Sequence, residues 1–433
     1  MTSASNDFQQ ASHSKLIVSR GVEVAGGPHP AISGTTRKTD IAIVGGGLAG
    51  SIAALVLGRA GYRVALVDIH ARYPTDFRCE KFANEQIDLL QALGLFDEMT
   101  ALTTPAPEMV VARFGRIVER TGKPEYGFYY EDVVNAVRAS LPPNAAFIVG
   151  RAAELATGRD VQRVRLSNGD IIEARLIVLA SGLGDTLRQG LGMRRRTVSD
   201  RHSLSAGFNV LPAPGETFGF PALTYYGERT ADRMAYVSFF PIRDVMRVNL
   251  FCYRSHDGEW ARAFKNAPRE MLFAVMPGLR RFVGNFQVVG KVKMRVVDLY
   301  RVENVVRDGV VLIGDAFQTT CPAAGNGVTR VLTDVDRLCN VHVPRWFGSP
   351  GMGAEKIAEF YDDELKMDCD LKTSRAAEYC RQFSTNDGPL WRARRWRAYL
   401  RPRARALLAP TRSVYSTSIM PSRGGGRGAK PAA

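Results

Sequence analysis

The chain has 433 residues, 45% of them apolar and 23% charged, ordinary proportions for a folded protein with room for two or three domains. No stretch approaches the run of about eighteen apolar residues that a membrane span needs. Composition thus excludes disordered, fibrous and integral-membrane classes but leaves contact with a membrane surface open. The net charge of +15 is concentrated at one end: residues 391–433 hold eleven Lys or Arg and no acid, leaving +4 for the rest.

A basic tail attracts anionic lipid, nucleic acid or an acidic partner, or is simply a solvated extension. No nucleic-acid recognition fold accompanies it, so no specific nucleic acid is expected. The six cysteines, at 79, 252, 321, 339, 369 and 380, form no CxxC, a spacing that suits reduced thiols in a cytoplasmic protein. The histidines do not pair with them at ligand spacing, and no metal is expected. Residues 1–37 are rich in Ser, Thr and Gly and lack the apolar core of a signal peptide, which reads as a flexible N-terminal extension.

In chain order, Asp40–Val44 is a short apolar strand, followed by glycines and then by Leu48, Ile52, Leu55 and Val56 at helical spacing. Arg63–Asp68 is a second strand, so the segment is a βαβ unit. Asn84–Met99 reads as a helix broken near Gly94. Another helix runs from Tyr130 to Leu141 and stops at Pro142 and Pro143. Val161–Leu166 and Ile171–Ala174 flank a Ser-Asn-Gly-Asp turn as a hairpin, and Arg175–Ala180 is a buried strand. Between 200 and 300 the texture changes to longer strands with aromatics, including a hairpin of Met234–Phe240 with Val245–Tyr253 and a helix over Trp260–Val275. Gly309–Ile313 is again a short buried strand leading into a loop and helix.

Gly45-Gly46-Gly47-Leu48-Ala49-Gly50 is a GxGxxG turn between strand and helix. Gly45 permits the tight turn, Gly47 lets a pyrophosphate approach the backbone, and Gly50 lets helix and strand pack closely. The N–H groups of the helix end at Leu48 and Ala49 face the phosphates. Asp68 ends the second strand, placed to accept from ribose hydroxyls and to repel a 2′-phosphate, so FAD or NAD is expected rather than NADP. A second constellation joins Gly314 and Asp315, at the end of a buried strand, to the loop of Cys321, Pro322, Ala323, Ala324, Gly325, Asn326 and Gly327. Asp315 suits a ribityl or ribose hydroxyl, and the backbone around Gly325–Gly327 suits the pyrimidine edge of a flavin. Cys321 in this loop reads as a small buried thiol.

These two segments, with Ala180-Ser181-Gly182 and Asp185 to Gly192 between them, resemble the FAD-dependent monooxygenases of the para-hydroxybenzoate hydroxylase fold, as a divergent member. The resemblance spans residues 40 to about 340 and implies FAD as cofactor, NADH or NADPH as transient reductant, and a role near adenosine for Arg78. It implies hydroxylation of a small aromatic or unsaturated substrate through a flavin C4a-hydroperoxide. The sequence departs from the family pattern at Ser181 and Asp185, where Asp and Ser are usual. Further departures are Gln318 in place of a frequent His, and Tyr130 in place of the arginine that opens its helix. The Trp-x-Trp-x-Ile-Pro signature of flavin halogenases is absent.

The fold class expected is α/β. A Rossmann-like FAD-binding domain is assembled from 38–195 and 300–340, with a β-rich substrate-binding domain at 196–299. A helical C-terminal region occupies 341–410 and a basic flexible tail 411–433. Alternatives are a reductase of the same fold, resembling geranylgeranyl reductases, and a non-catalytic flavin-binding interaction protein. His202, His256, Tyr225, Tyr226, Tyr236, Arg243 and Arg247 fall in the substrate segment, but sheet aromatics and surface arginines are the better explanation of them and no catalytic base is nominated. In the tail, Trp391, Trp396, Tyr399 and Leu400 interleave with arginines. Peripheral contact with an anionic membrane and packing onto the catalytic body are both open readings.

Overall fold

The computed structural model describes residues 34–408, with side chains to 404. At its centre five parallel strands lie in the order Val310–Leu312, Leu176–Leu179, Ile41–Val44, Val64–Asp68 and Ala145–Val149. These are short, almost uninterrupted runs of Val, Ile, Leu and Ala, as strands covered on both faces require. The helix Leu48–Arg59 packs against the helices Tyr130–Ala139 and Gly327–Asp336 as well as the sheet. It is therefore buried nearly all round, which is why its apolar residues are not confined to one stripe.

A four-stranded sheet flanks this core, in the order Thr36–Lys38, Ile171–Ala174, Gln162–Leu166 and Ala152–Ala156. Its first strand corrects the reading of 1–37 as a flexible extension, because Thr36–Lys38 pairs in parallel with Ile171–Glu173. Residues 1–33 and the tail 409–433 lie outside the described residues.

The large sheet has seven strands, in the order Phe286–Glu303, Arg194–Pro212, Val245–Cys252, Met234–Ile242, Ala222–Tyr226, Met109–Arg113 and Arg116–Thr121. The last two come from the segment that sequence reading gave to the FAD half. They enter because Met109–Ala112 pairs in parallel with Ala222–Tyr225, a contact across more than a hundred positions that local pattern cannot reveal.

The two faces of this sheet differ in chemistry. Leu204, Ala206, Phe208, Val237, Phe239, Val248 and Leu250 pack outward onto the helices Glu259–Asn266 and Pro268–Val275. Those are two helices rather than the single one expected over 260–275: Ala267 adopts φ −136° and ψ 62°, since the residue before a proline is driven out of the α region. Alternation then puts Ser203, Ser205, Asn209, Ser238, Arg247 and Asn249 on the inward face, toward the five-stranded core.

The C-terminal region is helical, with Ala354–Tyr361, Glu364–Thr385 and Pro389–Leu408. Asp363 caps the longest of these by accepting from the Lys366 amide at 3.0 Å. Its carboxyl also meets Arg337 at 2.9 Å and His342 at 3.0 Å. These partners outweigh the opposing effect of burial and hold its pKa down to about 2. Among the described residues, no helix is long and apolar enough to cross a membrane.

Candidate active site

The glycine turn is shaped by close approach. Gly45 sits at φ +105°, and a Cβ there would lie 2.5 Å from the Ala180 carbonyl oxygen and 2.9 Å from Ser181 Cα. A Cβ on Gly50 would lie 1.9 Å from the Gly45 oxygen, so neither position can carry a side chain. Gly47 differs: the nearest atoms to a Cβ there are the Tyr130 hydroxyl at 3.7 Å and a Tyr73 ring carbon at 4.0 Å. The structure thus leaves space over Gly47 while closing it at Gly45 and Gly50.

All three motifs converge on this turn. Ala180 and Ser181 of the middle motif abut Gly45, and Gly314 of the third motif lies against Ala49, whose Cβ is 3.2 Å from a Cβ built on it. The Gly314 amide donates to the buried Asp334 carboxylate at 2.8 Å, which fixes the turn that presents Asp315. Arg188, 1% exposed, pairs with Asp185 and donates to the Ala316 carbonyl at 2.5 Å. The middle and third motifs are therefore bolted together through one buried guanidinium.

Asp68 is more engaged than the sequence suggested. One carboxylate oxygen accepts from the Gly46 amide at 2.7 Å and stands 3.2 Å from Arg138; the other accepts from the His70 amide at 2.8 Å. Arg138 in turn donates to the Gly46 carbonyl. Sequence reading missed Arg138, although a signal existed: it falls one helical turn after Val134, on the buried stripe of an amphipathic helix, where a charge needs a partner.

Tyr130 stands at the mouth of the turn. Its hydroxyl accepts from the Leu48 amide at 3.1 Å, so a phenol meets the first free N–H of the helix where the family places an arginine. Burial pushes the Tyr130 pKa up, keeping the phenol protonated. Arg78 lies over its ring at 6.0 Å and reaches Asp76 at 2.5 Å and Asp315 at 3.5 Å. Burial alone would lower the Arg78 pKa, but Tyr130, Tyr73 and Asp76 beside it carry it above the usual arginine value. Arg330, 1% exposed, approaches Asp315 from the other side at 3.4 Å.

The third-motif loop begins with a 3₁₀ turn, Pro322–Ala324, and opens into the helix Gly327–Asp336. The Gly325 carbonyl accepts from Gln86 at 2.9 Å. Cys321 is fully buried, 3.7 Å from both Ser203 and Tyr253, and burial raises its thiol pKa, as a packed thiol requires. Of the substrate-segment residues, Tyr225 belongs to the outward apolar cluster, His256 is exposed and Arg243 pairs with Asp132 at the surface. Arg247 and Tyr236 lie on the inward face.

The residues fit FAD. The open space at Gly47, the arginines around Asp315, and the buried Ser181 Oγ, Thr320 Oγ1 and Asn326 Oδ1, all without hydrogen-bond partners among the described residues, suit a diphosphate, a polyol and a flavin ring in turn. The chain matches the FAD binding domain family over residues 38–341.

The chain belongs to that family.

It is 25% identical over 384 residues to 3-demethoxyubiquinol 3-hydroxylase of Escherichia coli, covering 82% of this chain and 93% of that one. It is 26% identical over 406 residues to ubiquinone hydroxylase UbiL of Rhodospirillum rubrum, covering 84% and 86%. Among solved structures, p-nitrophenol 4-monooxygenase PnpA of Pseudomonas putida superposes with a TM-score of 0.69 at 18% identity, over 86% of this chain and 94% of that one, a likeness of fold. The protein is an FAD-dependent monooxygenase. When bound, FAD supplies the electron and oxygen chemistry of hydroxylation, with NAD(P)H as a reductant consistent with the family.

Proposed function

We propose that the site residues identified from the sequence hold FAD in this protein. Gly47, Leu48 and Ala49 take the diphosphate on a turn that Gly45 and Gly50 make possible, Asp68 and Arg78 the adenosine side, and Gly314 and Asp315 the ribityl chain. Pro322, Gly325, Asn326 and Gly327 take the ring. Asp68 acts in this reading by fixing the Gly46 amide and Arg138 around the turn.

The substrate in this reading is an electron-rich aromatic ring with an apolar chain, taken from an anionic membrane surface. The observation that carries it is the helix Pro389–Leu408. Leu390, Trp396 and Leu400 are each more than half exposed, beside the exposed Arg394, Arg397 and Arg401. Trp396 stacks on Phe114 at 6.2 Å, and Phe114 and Ile117 at the tip of the 109–121 hairpin are themselves exposed. Apolar side chains ringed by arginines suit a headgroup boundary. The same aromatics also touch the body, since Tyr399 meets Phe114 edge-on at 5.5 Å and Trp391 meets Tyr379 at 5.4 Å. The helix is thereby held in place with its outer face free. The names of the two relatives, a demethoxyubiquinol hydroxylase and a ubiquinone hydroxylase, support the same substrate class.

The test supplies the FAD-loaded enzyme with NAD(P)H, isotopically labelled dioxygen and a prenylated quinol in anionic vesicles. One labelled oxygen per product ring, with one reductant consumed, is expected. Reductant consumption without labelled product from any lipophilic arene overturns the substrate reading.

A further inference from the structure

The inward face of the seven-stranded sheet carries a buried polar set that cofactor binding does not use. Glu80 and Arg247, 5% exposed each, pair at 2.8 Å through Arg247 Nε. The same Glu80 oxygen accepts from Asn249 Nδ2 at 3.1 Å, and Arg247 also donates to Asn209 at 3.1 Å. Because the carboxylate demands the NH₂ arm of the Asn249 amide, the orientation of that amide is set, and its Oδ1 is turned away from Glu80 as a pure acceptor. Asn249 is 5% exposed, and Oδ1 has no hydrogen-bond partner among the described residues. The same holds for Ser205 Oγ, on the neighbouring strand at 3% exposure. Gly207 is the residue directly opposite Asn249, so Ser205 lies on its diagonal.

Two ties to the FAD-binding core bracket this patch. On one side the Phe77–Glu80 segment supplies Glu80, sends Arg78 to Asp315, and lays the Phe77 ring so close that a Cβ on Gly207 would be 2.4 Å from it. On the other side Cys321, which opens the third-motif loop, meets Ser203 and Tyr253. Between the ties stand the rings of Tyr236 and Phe251, 4.8 Å apart. An inward sheet face flanked by aromatics and by the third-motif loop thus holds a buried amide acceptor of fixed orientation. The guanidiniums on this face are already engaged, Arg247 with Glu80, and Arg295, directly opposite Ser205, with Asp76 at 3.5 Å and the Phe77 carbonyl at 3.3 Å. An unmet buried acceptor is costly, and such a place favours a neutral hydroxyl donor over a carboxylate.

We propose that Asn249 Oδ1 is the acceptor for a hydroxyl group on the substrate's aromatic ring, held in that orientation by the Glu80–Arg247 pair. This rests on the aromatic-substrate reading above and narrows it: the substrate is a neutral phenol or quinol. Asn249 touches the substrate and Glu80 and Arg247 are positioning residues.

The test titrates the oxidised FAD-loaded enzyme with 4-hexylphenol and with hexylbenzene, reading perturbation of the flavin absorbance rather than turnover. The wild type is expected to bind the phenol about tenfold more tightly, the worth of one hydrogen bond made in a buried place. Asn249→Leu is expected to abolish that preference while still binding hexylbenzene. Ser205→Ala is expected to keep most of it. Equal binding of the two probes by the wild type overturns the hydroxyl site while leaving arene binding intact. Silence toward both probes overturns the aromatic-substrate reading and the site with it. A crystal structure of the wild-type enzyme with 4-hexylphenol supplies an answer even if Asn249→Leu does not fold. The phenol oxygen within hydrogen-bond distance of Asn249 Oδ1 supports the assignment, and a water in that place overturns it.

Discussion

Asp68 and Arg138 meet 3.2 Å apart beneath the glycine turn, the first holding the Gly46 amide and the second the Gly46 carbonyl. One peptide unit of the glycine turn is thus gripped from both ends by an ion pair with side chains 11% and 5% exposed. Arg138→Met should leave the Asp68 charge buried without its counter-ion, at a cost of about 3–5 kcal/mol. The apo-protein melting temperature should fall, and FAD should dissociate faster even well below that temperature. An unchanged FAD dissociation rate would mean that the pair serves stability alone.

The glycines of the turn should separate by mutation. Gly50→Val drives a side chain into the Gly45 carbonyl and should cost more than about 4 kcal/mol, yielding insoluble protein. Gly47 has φ −70° and ψ −169°, extended backbone that valine adopts readily, and open space beyond. Gly47→Val should therefore fold, with stability within about 1 kcal/mol of wild type, and retain no FAD. Circular dichroism melting together with flavin content after gel filtration checks both.

Asp315 lies between Arg78 and Arg330 without a hydrogen bond to either shorter than 3.4 Å, and a third of its side chain is exposed. Asp315→Ala should lower FAD affinity by about tenfold to a hundredfold, the loss of one or two hydrogen bonds to hydroxyls, with the fold intact. Fluorescence titration of the apo-protein with FAD measures it. Full occupancy in the variant would remove Asp315 from the cofactor site.

His202 supplies a pH signature. It is buried, its Nδ1 lies 3.2 Å from Ser199 Oγ, and Ser199 also accepts from Arg381 at 3.0 Å. Burial first, then the Arg381 charge, lowers its pKa to about 4, whereas in the unfolded chain it is about 6.5. Between those values the unfolded chain binds a proton that the native state refuses. Stability is therefore full above about pH 6.5 and declines as the pH falls toward 4. His202→Gln should flatten the denaturation midpoint across this window, by no more than about 3 kcal/mol. An identical slope in both proteins would show that other groups set it.

The outer face of the Pro389–Leu408 helix should bind anionic vesicles. Trp396→Ala combined with Leu400→Ala should weaken sedimentation with phosphatidylglycerol vesicles by about tenfold or more, given the apolar area withdrawn. Raised salt should weaken the wild type through its arginines. Turnover of a water-soluble phenol should be unaffected, since these side chains lie on the surface.

The glycine turn, the strand ending at Asp68 and the strand delivering Asp315 were all legible because each is a local pattern whose meaning is fixed by backbone geometry. Short apolar runs, glycines at set offsets and an acid at a strand end need no distant partner to be recognised. The limits of the helix beginning at Tyr130 were legible for the same reason, whereas Pro268 split one helix by a rule acting on its predecessor and the helix beginning at Gly327 runs on through a π-turn to Phe347.

What the sequence by itself determined, then, was the cofactor class and the order of the motif-bearing elements along the chain. Only the tertiary structure decided which charges are paired: Arg138 with Asp68, Arg188 with the Ala316 carbonyl, Glu80 with Arg247 and Asn249. It also decided that 109–121 completes the large sheet and that the inward face of that sheet is polar. Burial of a charge or an amide depends on what a residue tens or hundreds of positions away places beside it, and desolvation there makes each pairing obligatory. No local pattern carries that information, because the cost that enforces the pairing exists only once the chain has closed over it.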